Sequence, residues 1–236
     1  MYIRRKKEKS MSAPISQSID NLTGLPLRKE FHEMLDVLLE RARPVESPVS
    51  IALVDIDNFF HINSHYGHSG GDDVLKTLAD LVRQHCGEDA IAVRYGGDEF
   101  AVIFPNIERE QAFLRLENLR AAVQDITIQA RQDGSEITGL HISAGLACFP
   151  VDGHLKSELL RKADQALYRA KVTGRNKVRL AQDEKMVPKT SHFTQTQLER
   201  LTKLATERQV GEAELLREAM DDLLVKYGVN EIERWA

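Results

Sequence analysis

The feature that most constrains the fold of this sequence is a pair of strand-like apolar runs joined by two adjacent glycines. The runs lie within residues 90–104, and the glycines are Gly96 and Gly97. Adjacent glycines permit the tight turn between antiparallel strands, so the segment predicts a β-hairpin. Asp98 and Glu99 follow the glycines directly. The hairpin is therefore expected to carry carboxylates at its tip.

Helical and strand-like patterns alternate along the rest of this region. Apolar residues at helical spacing predict helices, and short apolar runs predict strands. The helices are expected over residues 27–42, 70–86, 110–130 and 158–172, and the strands over 49–55, 139–149 and 177–180. Strands interleaved with helices, together with one hairpin, favour an α/β fold, and specifically an α+β sandwich built on one mixed sheet.

Changes in composition divide the 236 residues into four segments. Residues 1–19 are a basic and then serine-rich leader, residues 20–181 the main domain, residues 182–188 a linker, and residues 189–236 a small C-terminal strand-helix-helix module. The module is too short to bury its own apolar stripes, so it is expected to pair with a second copy or to dock on the main domain.

Composition also bounds the compartment. No run approaches eighteen uninterrupted apolar residues, and no apolar run follows the basic N-terminus, so neither a spanning helix nor a secretory signal is expected. The two cysteines, Cys86 and Cys148, are too few for a disulfide framework. The sequence predicts a cytoplasmic protein with no membrane partner.

Acidic residues stand where two of the predicted strands end. Asp55 and Asp57 close the strand over 49–55, and Asp98 and Glu99 lie in the hairpin turn. Side chains at strand ends face the rim of a sheet, where ligands bind in open α/β folds. If the strands are neighbours, a divalent cation most simply relieves the repulsion between Asp55 and Asp98, and oxygen ligands favour Mg²⁺ or Mn²⁺. The alternative for either acidic pair alone is a solvated strand end or turn.

The stretch RYGGDEF over residues 94–100 resembles the signature of the GGDEF family of diguanylate cyclases. Other motifs of that family are resembled in the same order by residues 20–28, 54–63, 66–75, 143–145 and 163–176. The resemblance implies a fold like the palm of polymerases and the nucleotidyl cyclase core. It also implies the reaction, in which two GTP become cyclic di-GMP and two pyrophosphates.

The resemblance assigns the chemistry to three acidic residues. Asp55 and Asp98, together with the backbone carbonyl of Ile56, would bind Mg²⁺. Glu99 would lie near the ribose 3′-hydroxyl as a base or an orienting group. Each domain would hold one GTP, so the reaction implies a homodimer.

The resemblance also assigns the contacts to GTP. Asn63 and Asp72 would read guanine, and Leu75 would pack against the base. The phosphate contacts would come from Lys171, Arg175 and the backbone around Asn58, Phe59 and Phe60. Members of the family usually carry Lys where this chain has Phe60, which is expected to weaken GTP binding without removing a metal ligand.

The C-terminal module resembles, more loosely, the ribbon-helix-helix family, in which strands from two chains pair and enter the major groove. The alignment would turn Thr190 and His192 toward DNA. Residues 186–236 carry seven basic and nine acidic side chains, a balance that disfavours phosphate contacts. Plain dimerisation is the alternative role of this module.

Three functions of different classes therefore remain open from the sequence. The first is an active diguanylate cyclase with GTP as substrate. The second is a degenerate member that senses GTP or cyclic di-GMP, a hypothesis favoured by Phe60. The third is a DNA-binding regulator that acts through the C-terminal module.

Overall fold

Two neighbouring interior strands of the sheet are mostly apolar, because helices cover both faces. The computed structural model describes residues 18–130, 134–181, 190–208 and 211–226. In chain order the strands are β1 (Val49–Ile56), β2 (Ile91–Arg94), β3 (Glu99–Pro105), β4 (Ile128–Gln129), β5 (Glu136–Ile137), β6 (Ile142–Phe149) and β7 (Lys177–Leu180). Every residue of β1 and β6 is buried, as expected for strands covered on both sides.

Five strands form one mixed sheet in the order β2-β3-β1-β6-β7. β1 runs antiparallel to both β3 and β6, and β6 runs parallel to β7. The short strands β4 and β5 pair separately. The predicted mixed α/β architecture is therefore confirmed.

Helices cover the two faces of this sheet. These helices are α1 (Arg28–Ala42), α2 (Phe59–Cys86), α3 (Arg109–Asp125) and α4 (Lys156–Val172). Two further helices, α5 (Gln195–Arg208) and α6 (Glu212–Lys226), follow later in the chain. Buried side chains of α1 and α4 share one core cluster, and those of α2 and α3 share the other. Burial of these two apolar layers is the main stabilising contribution to the fold.

Two helix boundaries differ from the sequence prediction by more than two residues. α2 begins at Phe59 rather than at residue 70, and Gly67 (φ 70°, ψ 174°) interrupts it. α3 ends at Asp125, and the segment predicted as its last turns instead contains β4. Ile128 and Ala130 are buried while Gln129 is exposed, which is the alternation of a strand.

The described residues divide into two compact units, one up to residue 181 and one from residue 190. In the second unit α5 and α6 pack together, with Ala205 and Leu215 buried. Thr202 Oγ1 donates to Glu212 Oε1 at 2.5 Å. Residues 190–194 form no strand in this single chain, and Lys189 lies outside the described residues, so the ribbon strand stays a prediction. Within the described ranges, every helix is too short or too polar to cross a membrane.

Candidate active site

The end of β1 meets the start of β3 at one rim of the sheet. Asp55 lies opposite Glu99 in the β1–β3 register. The Ile56 N–H donates to the backbone oxygen of Asp98 at 3.3 Å. The N–H and C=O of one strand residue point to the same side, so the Ile56 carbonyl also faces the hairpin turn. The two acidic clusters predicted from the sequence are therefore neighbours.

Asp55 is a buried carboxylate at this rim, with charged side chains of both signs nearby. It is 6% exposed, and Lys171 Nζ lies 2.7 Å from its Oδ2. Burial raises the pKa of Asp55, Lys171 opposes the rise, and the nearby charges of Asp98 and Glu99 add to it. Removal from water and like charges both disfavour the ionised carboxylate. A cation at this rim would stabilise it.

The donors at the rim fit a hard divalent cation. Asp55 and Asp98 offer carboxylate oxygens and Ile56 offers a carbonyl, the ligand type that Mg²⁺ prefers. Across the described residues, no three His, Cys, Asp or Glu side chains are grouped as a metal site. A metal bound by Asp55 and Asp98 therefore needs further oxygen ligands, from the backbone, from water or from a bound ligand, to complete its coordination.

Asp20, which lies outside the hairpin, forms an ion pair with Arg94 at the end of β2, and this pair holds the hairpin turn. Arg94 Nη1 lies 3.0 Å from both carboxylate oxygens of Asp20, while Arg94 Nε and Nη2 donate to the Gly97 carbonyl at 3.3 and 2.7 Å. Burial of Asp20 opposes ionisation, but hydrogen bonds from Thr23 and the charge of Arg94 lower its pKa overall. Asp20 and Arg94 thus fix the turn that presents Asp98.

Sequence reasoning missed this pair as a functional element. Both residues lie within motifs of the resemblance, Asp20 at the start of the 20–28 segment and Arg94 in the signature. Their occurrence in two separate motifs of one family was the available signal. The ion pair joins residues 74 positions apart, and spacing alone does not reveal such a contact.

The N-terminus of α2 lies just beyond β1, at the same rim. Asn58 adopts the left-handed conformation (φ 57°), and its carbonyl accepts from the His61 N–H at 2.8 Å. The N–H groups that precede His61 in this turn have no intrahelical acceptor and suit an anion. Phe60, in this turn, is 77% exposed. Phe60 thus presents an exposed aromatic side chain, and no charge, at this turn.

The residues predicted to read guanine lie on both sides of the bend in α2. Asn63 precedes Gly67, and exposed Asp72 follows it. Gly71 packs against Asn63, since a Cβ there would lie 2.0 Å from Asn63 Oδ1. Leu75 is 3% exposed and belongs to the core, so little of its surface is available to a base.

The end of α4 brings basic residues to the same rim. Lys171 pairs with Asp55, and the chain then passes through three left-handed residues, Gly174, Arg175 and Asn176, with φ of 103°, 56° and 47°. Arg175 is exposed, and its N–H donates to the Ala170 carbonyl at 3.0 Å. The structure thus brings Lys171 to the carboxylates and places the Arg175 backbone in the loop that follows.

Three further residues singled out from the sequence are Asp57, Thr190 and His192. Asp57, grouped with Asp55 in the sequence, is bound by other partners: Ser143 Oγ and the Asn176 N–H donate to its two carboxylate oxygens. Thr190 and His192 are exposed residues of the second unit, ahead of α5. Nothing in their surroundings identifies a DNA-binding surface.

Comparison with known proteins gives one family. A family model described as "Diguanylate cyclase, GGDEF domain" matches residues 17–177. The response regulator PleD of Caulobacter vibrioides is 34% identical over 177 residues, which are 75% of this chain and 38% of PleD. The diguanylate cyclase VdcA of Vibrio cholerae is 31% identical over 178 residues, 75% of this chain and 51% of VdcA. The matched part is thus about two fifths to one half of these relatives.

Solved structures agree with the sequence matches. The GGDEF domain of DgcB from Caulobacter crescentus, solved in complex with c-di-GMP, has a TM-score of 0.66 and 30% identity, covering 78% of this chain and 98% of that one. The GGDEF domain of YfiN (TpbB) from Pseudomonas aeruginosa has a TM-score of 0.66 and 34% identity, covering 70% of this chain and 95% of that one.

Proposed function

Because this chain belongs to the GGDEF family over residues 17–177, we propose that its N-terminal unit is a diguanylate cyclase that uses Mg²⁺. Two GTP would give one cyclic di-GMP and two pyrophosphates. The observation that carries the proposal is the pairing of Asp55 with Glu99 in the sheet register, with Asp98 one residue away and Lys171 at 2.7 Å from Asp55.

The proposed reaction at this rim is nucleotidyl transfer, performed twice. In each step a 3′-oxygen forms a bond to an α-phosphorus and the bond to the pyrophosphate leaving group breaks. Held by Asp55, Asp98 and the Ile56 carbonyl, Mg²⁺ would neutralise the charge on the α-phosphate and the leaving group.

The other residues of the rim would bind and orient the nucleotide. Glu99, opposite Asp55 in the register, would orient the 3′-hydroxyl and accept its proton. Lys171 Nζ, 2.7 Å from Asp55, is close enough to contact either that carboxylate or a phosphate oxygen bound beside it. Arg175 and the backbone N–H groups over Asn58, Phe59 and Phe60 would hold the remaining phosphate oxygens.

The bend in α2 supports guanine as the base. A carboxylate at Asp72 would accept from both N1–H and the exocyclic amine of guanine, a donor pair that adenine lacks on that edge. Asn63, fixed against Gly71, would read the base from the other side of the bend. A GTP-consuming reaction also supports the expectation of a cytoplasmic protein.

The reaction needs two nucleotide-bearing units face to face, so we propose a homodimer. The second unit has exposed apolar side chains on α6, which support a role for this helix in dimerisation; they are Leu216, Met220 and Leu223. DNA binding is not part of the proposal, because acidic residues outnumber basic ones over 186–236.

The test is direct. The purified full chain is incubated with GTP and Mg²⁺, and cyclic di-GMP and pyrophosphate are quantified; a ratio of one to two is expected. Asp98→Ala should lower the rate by about a hundredfold or more, because the variant loses a carboxylate that holds the metal. Asp89→Ala, which alters an exposed acid outside the rim, is the matched control and should retain the parental rate.

One observation favours a second candidate function. The exposed side chain of Phe60 offers no charge to a phosphate, and this favours a chain in which catalysis is weak or lost. A chain that binds GTP or cyclic di-GMP without turnover would be a sensor. An Asp98→Ala variant that converts GTP at the parental rate contradicts the metal assignment. GTP binding by the parental chain without any product would contradict the cyclase and support the sensor.

A further inference from the structure

Asp57 is a buried acid with two defined partners at the edge of the proposed site. It is 5% exposed. Its Oδ1 accepts from Ser143 Oγ at 2.8 Å and its Oδ2 from the Asn176 N–H at 2.9 Å. Its own N–H donates to the His141 carbonyl at 2.9 Å. The carboxylate is therefore used within the fold, between β6 and the loop over residues 174–176.

The loop that Asp57 contacts has an unusual backbone. Arg175 and Asn176 are left-handed (φ 56° and 47°), a conformation that residues with a Cβ disfavour and that persists where the surroundings enforce it. In this loop the Asn176 N–H donates to the Asp57 carboxylate, while the Arg175 N–H donates to the Ala170 carbonyl.

The same loop is also held from its outer side. Asn176 Oδ1 accepts from Arg120 Nη1 at 3.0 Å, and Asn176 Nδ2 donates to Gln124 Oε1 at 3.1 Å. Arg120 is itself fixed by Glu117, whose Oε2 accepts from its Nε at 3.0 Å. Asn176 thus joins α3 on one side to Asp57 on the other.

Arg175 lies between these anchors. Its N–H donates to the Ala170 carbonyl at 3.0 Å, and its side chain is exposed. The backbone on both sides of Arg175 is fixed, so the starting position of its guanidinium is set by the loop. A cation that must reach a phosphate benefits from such preorganisation.

We propose that Asp57 is a positioning residue that acts through Asn176: it holds the 174–176 loop and thereby presents Arg175 to the nucleotide phosphates, and it is not a metal ligand. The inference rests on the proposed function, since that function gives Arg175 its phosphate. It separates Asp57 from Asp55, its neighbour in the sequence, by their different partners.

The first test compares Asp57→Ala with Asp57→Asn in the full chain. The Asn side chain keeps an acceptor for the Asn176 N–H and a partner for Ser143, so the affinity for a non-hydrolysable GTP analogue should stay within about threefold of the parental value. Asp57→Ala should lower that affinity about tenfold, the usual scale for a lost supporting contact. Both are measured by calorimetry with Mg²⁺ present. Asp55→Asn is the control for a metal ligand and should abolish turnover.

A double-mutant cycle with Arg175→Ala tests the route of the effect. If Asp57 acts through Arg175, Asp57→Ala should weaken binding by less than about twofold once Arg175 is already Ala. If the factors by which the two substitutions weaken binding multiply in the double variant, the inference is overturned, because Asp57 would then act independently of Arg175. An Asp57→Asn chain as impaired as Asp57→Ala, and needing more Mg²⁺, would also overturn it by making Asp57 a metal ligand.

Hydrogen exchange at the Asn176 amide gives a readout that needs no nucleotide. Asp57→Ala should accelerate this exchange, and Asp57→Asn should leave it slow. If the parental chain makes no cyclic di-GMP, the proposed function fails, while exchange and analogue binding still decide the role of Asp57. If Asp57→Ala does not fold, the Asn variant decides through its affinity, its Mg²⁺ requirement and its exchange rate. Fast exchange in Asp57→Asn would overturn the inference.

Discussion

At the scale of single residues, we expect guanine selectivity in the proposed site to depend chiefly on Asp72. Loss of its carboxylate would leave N1–H and the exocyclic amine of guanine without their acceptor, so we expect Asp72→Ala to cost GTP about 1–3 kcal/mol while ATP is little affected. The dissociation constants of both nucleotides measure this. Asp80→Ala, an exposed acid on the same helix, is the control. A variant that keeps full preference for GTP would remove Asp72 from the base-binding site.

A second residue-scale prediction concerns pH. Burial lowers the pKa of His32, the cations Lys156 and Arg28 lower it further, and Asp36 opposes them. The unfolded chain therefore takes up this proton near the ordinary histidine pKa of about 6.5, and the folded chain only at lower pH. The contribution of His32 to stability is full above that value and declines as the pH falls toward the folded pKa.

Urea unfolding at about pH 7.5 and about pH 5.5 measures this contribution. The loss of stability at the lower pH should be smaller in His32→Gln than in the parental chain. His68→Gln, at an exposed position on α2, should not reduce that loss by itself. An identical pH dependence in His32→Gln and the parental chain would contradict the assignment to His32.

The placement of the acidic residues shows what sequence could predict at this scale. That Asp55 could meet Asp98 followed from their positions at strand ends, on the condition that the two strands are neighbours, and the pairing of β1 with β3 meets that condition. That Asp57 binds Ser143 and Asn176 did not, because Asn176 lies 119 positions away and its N–H is aimed by a left-handed backbone. Contacts made by irregular backbone leave no periodic pattern in a sequence.

At the scale of elements, β6 and α4 approach each other closely at Gly145. A Cβ there would lie 2.0 Å from the Ala163 carbonyl oxygen and 2.2 Å from the Leu167 nitrogen, and backbone atoms within a helix cannot rotate away. We expect Gly145→Ala to destabilise the unit by at least about 2 kcal/mol, in the range of overpacked cores.

The measurement is urea unfolding, with Gly97→Ala as the matched control. A Cβ at Gly97 would meet nothing within 4 Å, so its effect on stability should stay within about 0.5 kcal/mol. Equal stabilities of Gly145→Ala and the parental chain would mean that α4 can move away from β6.

Element types were more predictable than element ends. Long amphipathic patterns gave α1 and α4 their correct type, and apolar runs did so for β1 and β6. The start of α2 was missed because Gly67 breaks its pattern, and β4 was missed because a two-residue strand is defined by its partner β5. Tertiary pairing decides such ends, and a local pattern does not contain it.

At the scale of the whole molecule, the proposed reaction needs two copies of the N-terminal unit. α5 and α6 bury Ala205 and Leu215 between them but leave Leu216, Met220 and Leu223 exposed. A second copy that covers these side chains would keep the partner unit at an effective concentration of about a millimolar, the scale for units joined by a short connection. The C-terminal unit would thereby act on the rate without touching GTP.

Removal of the C-terminal unit tests this arrangement. The cut belongs after Ala181, because Ala181 is buried and its N–H donates to the Leu146 carbonyl at 2.6 Å, so a shorter chain would lose part of the sheet. We expect the 1–181 chain to sediment as a monomer whose specific activity rises with protein concentration, since each turnover then waits for an encounter. The full chain should keep a constant specific activity down to nanomolar protein.

Leu223→Asp in the full chain, which places a charge on the exposed face of α6, should reproduce the truncation without shortening the protein. A 1–181 chain that stays dimeric and fully active at nanomolar concentration would show that the cyclase units pair without the C-terminal unit.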